Sequence, residues 1–427
     1  MEWSILIPFA FLLLAFILRQ PIGLGMIVGS IVYFLVEDLN FSAFANTITS
    51  NINNAYVLLA IPLFIFAANI MNSSAITDKI YQFANGLMNG RRGGSAYVNI
   101  IASLIFAGMT GSALADASGL GLIEIKQMEK EGYNKPFSCA LTAATAVVGP
   151  IFPPSIQMVV FAMISGASVG RLFLGGMIPA FIICIMLAIY IFAIAKKRNF
   201  PVSPKITLKQ FAMETLRALP ALLTPVILLF GIYSGIVTPT EAGAIAVLYV
   251  LLISVFIYRS LNFKELWSIV LKTCITTGQI FLIVIGAYIF SYIINLEQTA
   301  SIIQTFAQSL SLNRVTFLIF VNILFLLLGM IVDINVSTLV VLPLILPLVK
   351  YFQIDMIHFG VMITLNQMIG LVTPPFGMLL FIVSGIGNCS LKSIIKESLP
   401  MIAMLILALI AITVYPPFIT FFTQFVR

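Results

Sequence analysis

Two segments of this sequence place paired prolines and glycines inside long apolar stretches. The first runs from Gly149 to Ser155 as GPIFPPS, and the second runs from Gly370 to Gly377 as GLVTPPFG. Proline lacks an amide donor and its ring clashes with the preceding helical turn, so each segment is expected to interrupt a helix. The freed carbonyl oxygens can bind a cation where they line a wet cavity. Simple kinks whose polar groups are satisfied by neighbouring helices are the alternative.

Each double-proline segment is preceded by a second polar interruption. Residues 109–119 read MTGSALADASG, and residues 331–338 read IVDINVST, each between apolar arms. A chain that enters the membrane, turns at small polar residues and returns to the same side forms a re-entrant hairpin. We therefore predict hairpins at about 95–131 and about 314–350. Two full crossings at either place would give the same charge pattern and stay an alternative.

These interruptions contain the two acidic residues that we place at membrane depth, Asp116 and Asp333. An intramembrane carboxylate is a functional-site hypothesis by default, because its burial is costly. A structural role is the alternative, since a buried aspartate can cap a helix or accept backbone amides. The glycine-rich surroundings of Asp116 favour capping. For Asp333, beside Asn335, Ser337 and Thr338, both interpretations stay open.

Hydroxyls, amide oxygens and free carbonyls suit Na⁺, a hard cation that exchanges its water shell for oxygen ligands. Helix N-termini at the same breaks suit an anion such as a carboxylate. One hairpin tip and one break in each half therefore predict two cation sites flanking an anion site. The candidates are Gly108, Thr110, Ser112, Gly149, Pro150 and Pro153 for the first Na⁺ site, Gly329, Asp333, Ser337, Thr338, Gly370 and Thr373 for the second, and Pro154, Ser155, Asn335 and Pro375 for the anion.

The composition of the whole chain fixes its class. Of 427 residues, 61% are hydrophobic and 9% are charged, whereas soluble domains carry about 25% charged residues. Several charge-free stretches are each long enough to cross a hydrocarbon core of about 30 Å. The fold class is therefore an all-α polytopic membrane protein. One histidine and four unpaired cysteines in apolar segments make a zinc site improbable.

The basic residues predict the orientation. With the N-terminus outside, every Lys and Arg except Arg171, Arg314, Lys350 and Arg427 falls on the cytoplasmic side. This asymmetry satisfies the positive-inside rule, so both termini are expected to be periplasmic. It also explains the net charge of +7 without any nucleic acid. Four amphipathic runs, at 78–92, 205–219, 262–272 and 297–310, are expected to lie in the membrane interface.

The sequence also contains an internal repeat. A constant spacing of 221 residues pairs Gly108 with Gly329, Gly149 with Gly370, and the prolines of one break with those of the other. Chance recurrence of glycine and proline is the alternative. We predict two halves, 1–200 and 218–427, joined by a basic cytoplasmic linker at 201–217, with broken helices at 136–170 and 356–390. Five crossings per half would insert the halves in opposite senses, an inverted-topology repeat typical of secondary transporters.

Several stretches together resemble one transporter family over essentially the whole chain. They are PLFIF at 62–66, GMTGSALAD at 108–116, GPIFPP at 149–154 with SGASVGRLFLGG at 165–176, and GLVTPP at 370–375. They are similar to the large membrane subunit of tripartite ATP-independent periplasmic (TRAP) transporters. The resemblance implies an elevator-type transporter of a bacterial inner membrane, in which a mobile domain with two hairpins and two discontinuous helices slides against a scaffold.

The resemblance also implies partners and ligands. These are Na⁺ as the coupling ion, a small four-helix membrane subunit, expected as a separate chain, and a periplasmic binding protein that delivers an organic acid such as a sialic acid or a C4-dicarboxylate. By similarity, one Na⁺ site would involve Ser112 and residues 149–154, and the other would involve Ser337, Thr338 and residues 370–375. Membrane lipid is the remaining expected partner.

Two other functions compete with this one. A stand-alone divalent-anion/sodium symporter would share hairpins and inverted repeats but would need no binding protein. An intramembrane aspartyl enzyme would need Asp116 and Asp333 to meet, and their separate halves make that improbable. The sequence contains no Walker A motif, HExxH motif or Ser/His/Asp arrangement at usable spacing, so ATP-driven transport by this chain alone is disfavoured and no enzyme is expected.

Overall fold

The fold is all-helical throughout the residues that the computed structural model describes, which are 3–88, 90–203, 205–299, 303, 305 and 312–425. Within these ranges, eight helices are long and apolar enough to cross a membrane. The expectation of a polytopic helical membrane protein is thereby confirmed. The helices are α1 (Leu6–Ile17), α2 (Ile22–Val36), α3 (Phe41–Asn54), α4 (Ala60–Ser73), α5 (Ile76–Leu87), α6 (Gly94–Thr110), α7 (Ala113–Ser118), α8 (Leu120–Lys130), α9 (Lys135–Ala146), α10 (Ile156–Ser165), α11 (Val169–Ala195), α12 (Leu208–Tyr233), α13 (Pro239–Leu252), α14 (Phe263–Leu296), α15 (Arg314–Ile331), α16 (Ile334–Tyr351), α17 (Met356–Val372), α18 (Met378–Gly387), α19 (Leu391–Val414) and α20 (Pro417–Thr420).

The helices pack in two groups. A frame group comprises α1–α5 and α12–α14, in which α2 and α4 both pack on the long helix α14. Gly23 of α2 makes the first contact close, because a Cβ there would lie 2.7 Å from the backbone of Leu282. Asn69 of α4 fixes the second contact by donating to the Thr273 hydroxyl at 3.0 Å. A hairpin group comprises α6–α11 and α15–α20, which pack mainly against one another.

Local sequence explains where the long frame helices begin. Thr207, Thr238 and Asn262 each cap a helix in a reciprocal capping box with a glutamine or glutamate three residues later. These boxes satisfy backbone amides that the first helical turn leaves without partners. The starts of α12, α13 and α14 are therefore encoded by adjacent residues.

Three features of the frame group differ from the sequence-based expectations. The runs at 205–219 and 262–272 do not form separate interfacial helices, because each continues into the following span as α12 and α14. Helix α12 thus also begins inside the expected linker at 201–217. Helix α3 was not anticipated. Most of the run at 297–310 lies outside the described residues.

The hairpin group contains the two polar interruptions and the two breaks. Helices α6 and α8 flank the short helix α7 and form hairpin 1, and α15 and α16 form hairpin 2. Break 1, residues 147–155, separates α9 from α10, and break 2, residues 373–377, separates α17 from α18. A cis peptide bond joins the two prolines in each break.

Candidate functional site

A cavity of about 300 Å³ lies between the hairpin group and the frame group. This volume is at the lower end of the usual range for small-molecule sites. Its wall combines both hairpin tips, break 1, the helix ends on either side of break 2, and one face each of α4 and α14. The polar residues of the wall are Asn69, Asn72, Ser112, Ser118, Gln157, Lys272, Thr276, Asp333 and Asn335.

Four helices begin at this cavity. The first residues of α7, α10, α16 and α18, which are Ala113, Ile156, Ile334 and Met378, all line its wall. A helix N-terminus carries partial positive charge and amide donors without intrahelical partners. The cavity is therefore electrostatically suited to a negatively charged group.

The tip of hairpin 1 packs directly on break 1. Gly111 has a φ of 60°, and a Cβ there would lie 2.2 Å from the Pro154 carbonyl oxygen. A Cβ on Gly149 would lie 3.2 Å from the carbonyl carbon of Ser112. Among described residues, none donates a hydrogen bond to the Phe152 or Pro154 carbonyl. Unpaired carbonyl oxygens thus lie beside the hairpin tip.

Hairpin 2 makes the corresponding contact with the helix that leads into break 2. A Cβ on Gly370 would lie 2.6 Å from the carbonyl carbon of Gly329. Nearby, the Gln367 amide donates to the Ser337 hydroxyl at 2.8 Å and to the Thr338 hydroxyl at 3.0 Å. These three buried side chains tie α16 to α17.

Several of the candidate hydroxyl and carboxyl groups cap helices. The Ser112 hydroxyl accepts from the Ala115 amide at 3.3 Å, and the Asp333 carboxylate accepts from the Asn335 amide at 2.9 Å. Ser155 accepts from the Met158 amide at 3.2 Å and donates to the Pro150 carbonyl. These groups fix helix starts at the cavity.

The structure places only some of the candidate residues on the cavity wall. Ser112, Pro150, Asp333 and Asn335 line it. Three residues expected at the anion, Pro154, Ser155 and Pro375, do not line it. Ser155 is fully buried at the start of α10, and Pro375 is exposed. The remaining candidates do not line the wall either: Gly108, Thr110, Gly149, Pro153, Gly329, Ser337, Thr338, Gly370 and Thr373.

Sequence reasoning missed the frame-group side of the wall and one residue of α10. Asn69, Asn72 and Thr276 come from α4 and α14, and Gln157 follows break 1 by two residues. Lys272, which was assigned to the cytoplasmic side, also lines the cavity. Gln157 could have been predicted to line the cavity, because it is a polar residue that closely follows a break. The residues of α4 and α14 line it only because of how the helices pack, and their local sequence does not indicate this.

The acidic residues also differ from expectation. Asp116 is buried, but its carboxylate accepts no hydrogen bond from a described atom and caps no helix. Glu124, which was grouped with the cytoplasmic charges of α8, is as deeply buried as Asp116. Asp333 lines the cavity, whereas Asp116 and Glu124 do not.

This arrangement, in which hairpin tips and broken helices surround an anion-suited cavity, defines a membrane transporter. Residues 9–418 match the DctM component of the tripartite ATP-independent periplasmic transporters. The chain belongs to this family. It is a transport permease and not an enzyme, so the aspartyl-enzyme alternative is excluded.

Curated relatives cover nearly the whole chain. It is 37% identical to the sialic acid TRAP transporter permease SiaT of Haemophilus influenzae, over 98% of this chain and 68% of that one. It is 37% identical to the sialic acid large permease SiaM of Vibrio cholerae, over 93% of each chain. It is 34% identical to the C4-dicarboxylate large permease DctM of Vibrio cholerae, over 94% and 93%.

A solved structure shares the fold at low sequence identity. The YdaH transporter of Alcanivorax borkumensis superposes with a TM-score of 0.64 over 88% of each chain, at 12% identity. At this identity the likeness concerns the fold alone.

Proposed function

We propose that this chain is the large membrane subunit of a Na⁺-coupled TRAP transporter that imports an organic acid. The observation that carries the proposal is the convergence of four helix N-termini on one cavity. Lys272 and Asp333 contribute charges of opposite sign to the same wall, so the net attraction for an anion comes from the helix N-termini. A carboxylate in the cavity would receive amide and ammonium donors together, which are charge-assisted and therefore strong hydrogen bonds.

Na⁺ coupling is supported by the two tip-and-break contacts. The first combines Ser112 with unpaired carbonyls of residues 149–154. The second brings Gly329 against Gly370, with Ser337 and Thr338 bonded to Gln367 one turn before Gly370. Oxygen donors of this kind, neutral and tightly held, suit Na⁺. Each Na⁺ moving inward across 100 mV would supply about 2.3 kcal/mol before its concentration gradient is counted. Two such ions per monoanion would drive accumulation.

An elevator mechanism is supported by the division into two packing groups. The cavity lies at the contact between the groups, with most of its wall supplied by the hairpin group. If the hairpin group moved as a rigid body, it would carry the cavity across the membrane while α4 and α14 stay in place. Such motion is typical of transporters built from inverted repeats.

The proposed setting follows the family. The chain would span the bacterial inner membrane with both termini in the periplasm. It would act with a small four-helix membrane subunit and with a periplasmic binding protein that delivers the solute. The relatives named for sialic acid and C4-dicarboxylates make these two classes the first substrates to test. Both classes carry the carboxylate that the cavity is suited to bind.

The test is uptake by proteoliposomes containing this chain and its small subunit. A panel of sialic acids and C4-dicarboxylates is added outside, with the matching binding protein, under an inward Na⁺ gradient or an equal choline gradient. We expect uptake only with Na⁺ and the binding protein. Equal uptake in choline would refute Na⁺ coupling. Uptake without any binding protein would instead favour the stand-alone symporter.

A further inference from the structure

A second cavity, of about 770 Å³, forms an open groove at the surface of the hairpin group. Its walls come from α15, α17 and α19 and from Pro416 just after α19, and no described residue of the frame group contributes to it. Several of its apolar side chains are exposed, among them Ile319 (54%), Ile323 (55%) and Ile410 (52%). An exposed apolar groove of this size marks a binding surface.

The neutral polar side chains of the groove bond to their own neighbours. The Asn366 amide donates to the Asn322 side-chain oxygen at 2.8 Å. The Asn322 amide and the Thr413 hydroxyl each donate to the backbone carbonyl one turn earlier, at 2.8 Å and 2.7 Å. The Asn366 oxygen has no partner among the described atoms, but it is shielded from the groove, since Asn366 is 1% exposed. The groove therefore offers little to a polar solute and suits hydrocarbon.

Arg314 is the charged residue of the groove. It is the first residue of α15, a helix long and apolar enough to span a membrane, so it lies where hydrocarbon gives way to lipid headgroups. The ion pairs found among the described residues involve other side chains. The Asp355 carboxylate, at the start of the adjacent α17, caps that helix by accepting the His358 amide at 2.8 Å. Within the described part of the chain, Arg314 thus adds an unpaired positive charge to an apolar groove.

The length of the groove matches one leaflet of a bilayer. Along α15 it is lined from Arg314 to Leu326, a rise of about 18 Å at about 1.5 Å per residue. Half of a hydrocarbon core is about 15 Å thick. A molecule that fits must therefore have an anionic group at the membrane boundary and an apolar part that reaches toward the bilayer centre. A phospholipid of one leaflet has this form.

We propose that this groove binds one phospholipid with an anionic headgroup, whose phosphate contacts Arg314 and whose acyl chain lies between α15 and α19. A guanidinium binds phosphate through charge-assisted and often bidentate hydrogen bonds. The partial positive charge at the N-terminus of α15 adds to the attraction. The lipid joins hairpin 2 to α19 without contacting the frame group. This binding does not depend on Na⁺-coupled uptake.

The test is lipid binding by the purified full chain. The protein is stripped of lipid in detergent and mixed with equal amounts of phosphatidylglycerol and phosphatidylcholine of identical acyl chains. Bound lipids are counted by native mass spectrometry, and the unfolding midpoint is recorded with each lipid alone.

Two variants test the two parts of the site. Arg314→Gln removes the charge, and Lys350→Gln is its control, because Lys350 is exposed in the last turn of the other arm of hairpin 2, outside the groove. Ile410→Trp fills the groove with a larger side chain. Leu407→Trp is its control, since Leu407 is 49% exposed on the same helix but does not line the groove.

We expect the native chain and both controls to prefer phosphatidylglycerol roughly fivefold, the effect of one basic residue near a lipid surface, and to unfold at a higher temperature with it. Arg314→Gln should bind the two lipids equally, and Ile410→Trp should bind one lipid fewer of either kind. Equal binding of the two lipids by the native chain, or a preference that survives Arg314→Gln, would overturn the proposal. Unchanged lipid binding by Ile410→Trp, with loss of a dimer or of the small subunit, would also overturn it and mean that a protein covers the groove.

Discussion

Gly329 and Gly370 meet backbone to backbone where hairpin 2 crosses α17. A Cβ added to Gly370 would lie 2.6 Å from the carbonyl carbon of Gly329 and 2.7 Å from its Cα, with no flexible side chain that could yield. Gly370→Ala should therefore push the hairpin away and cost about 1–3 kcal/mol of stability. Thermal unfolding and Na⁺-driven uptake should both decline.

Gly385 provides the control for this substitution. It lies on α18, in the same half of the chain, and a Cβ there would meet nothing within 4 Å. Gly385→Ala should be neutral or raise stability by up to about 1 kcal/mol, because alanine is the better helix former. Equal losses in the two variants would contradict the steric explanation.

Gly111 combines a positive φ with a crowded Cβ position. Its φ is 60°, and the added atom would lie 2.2 Å from the Pro154 carbonyl oxygen, at the contact that forms the first tip-and-break site. Gly111→Ala should abolish most uptake and lower the apparent Na⁺ affinity. The measurement is initial uptake rate against external Na⁺ concentration.

Gly166 is the control that distinguishes backbone strain from crowding of the added Cβ. Its φ is 71°, but a Cβ there would have open space around it. Gly166→Ala should incur only the left-handed backbone penalty of about 1–2 kcal/mol and leave the Na⁺ dependence unchanged. A shift in Na⁺ affinity equal to that of Gly111→Ala would mean that backbone strain, and not the contact with break 1, is responsible.

Gln367 organises the second tip-and-break site by bonding both Ser337 and Thr338. Gln367→Leu would leave two buried hydroxyls short of a partner, which costs about 1–3 kcal/mol and frees α16 from α17. We expect a several-fold rise in the Na⁺ concentration for half-maximal uptake. Thr364→Val is the control on the same helix, since the Thr364 hydroxyl bonds only the Gly360 carbonyl one turn earlier. A normal Na⁺ dependence in Gln367→Leu would dissociate this cluster from ion binding.

Lys272 is the cationic side chain on the cavity wall. Lys272→Gln should remove a charge-assisted hydrogen bond to a bound carboxylate, worth about 1.5–3 kcal/mol, and so weaken transport affinity roughly tenfold or more. Lys264→Gln is the control, because Lys264 lies on the same helix outside the cavity. Binding of the acid to the purified permease, followed by calorimetry, is the direct measurement. Unchanged affinity in Lys272→Gln would remove Lys272 from the proposed anion site.

The helix breaks could be predicted because their cause is local. Proline removes an amide donor wherever it occurs, so the double prolines of 149–155 and 370–377 end α9 and α17 regardless of the surrounding fold. The cavity wall could be predicted only for the residues adjacent to those breaks. Asn69 and Thr276 lie on regular helices, and their role depends on which helices become neighbours.

Glu124 was misplaced because charge was given more weight than periodicity. It is one of several charged residues in α8, and the others are solvated. Leu120, Glu124 and Met128 nevertheless recur at one helical face, and all three are buried. The four-residue spacing would have placed Glu124 on the buried face.

Helix α3 was missed for a related reason. Its sequence is rich in Asn, Thr and Ser, which are weak helix formers. In the structure these side chains bond backbone carbonyls one turn earlier, as Thr47 does to Ala43 at 2.8 Å.

The helices α12 and α14 were instead each predicted as two elements, because their charged first turns were taken as separate interfacial helices. At about 1.5 Å per residue, the 34 residues of α14 extend well beyond a bilayer, so a charged end is compatible with one continuous helix.

Because both the frame group and the hairpin group contribute to the cavity wall, the binding energy of a solute there has two separate parts. Asn69 and Thr276 belong to the frame group, whereas Ser112 and Asn335 belong to the hairpin group. If one group moves past the other, the solute keeps the second pair of contacts and exchanges the first. The affinity for the solute would then differ between the outward-facing and inward-facing states. Residues of the stationary frame group could therefore set the affinities for binding and for release separately.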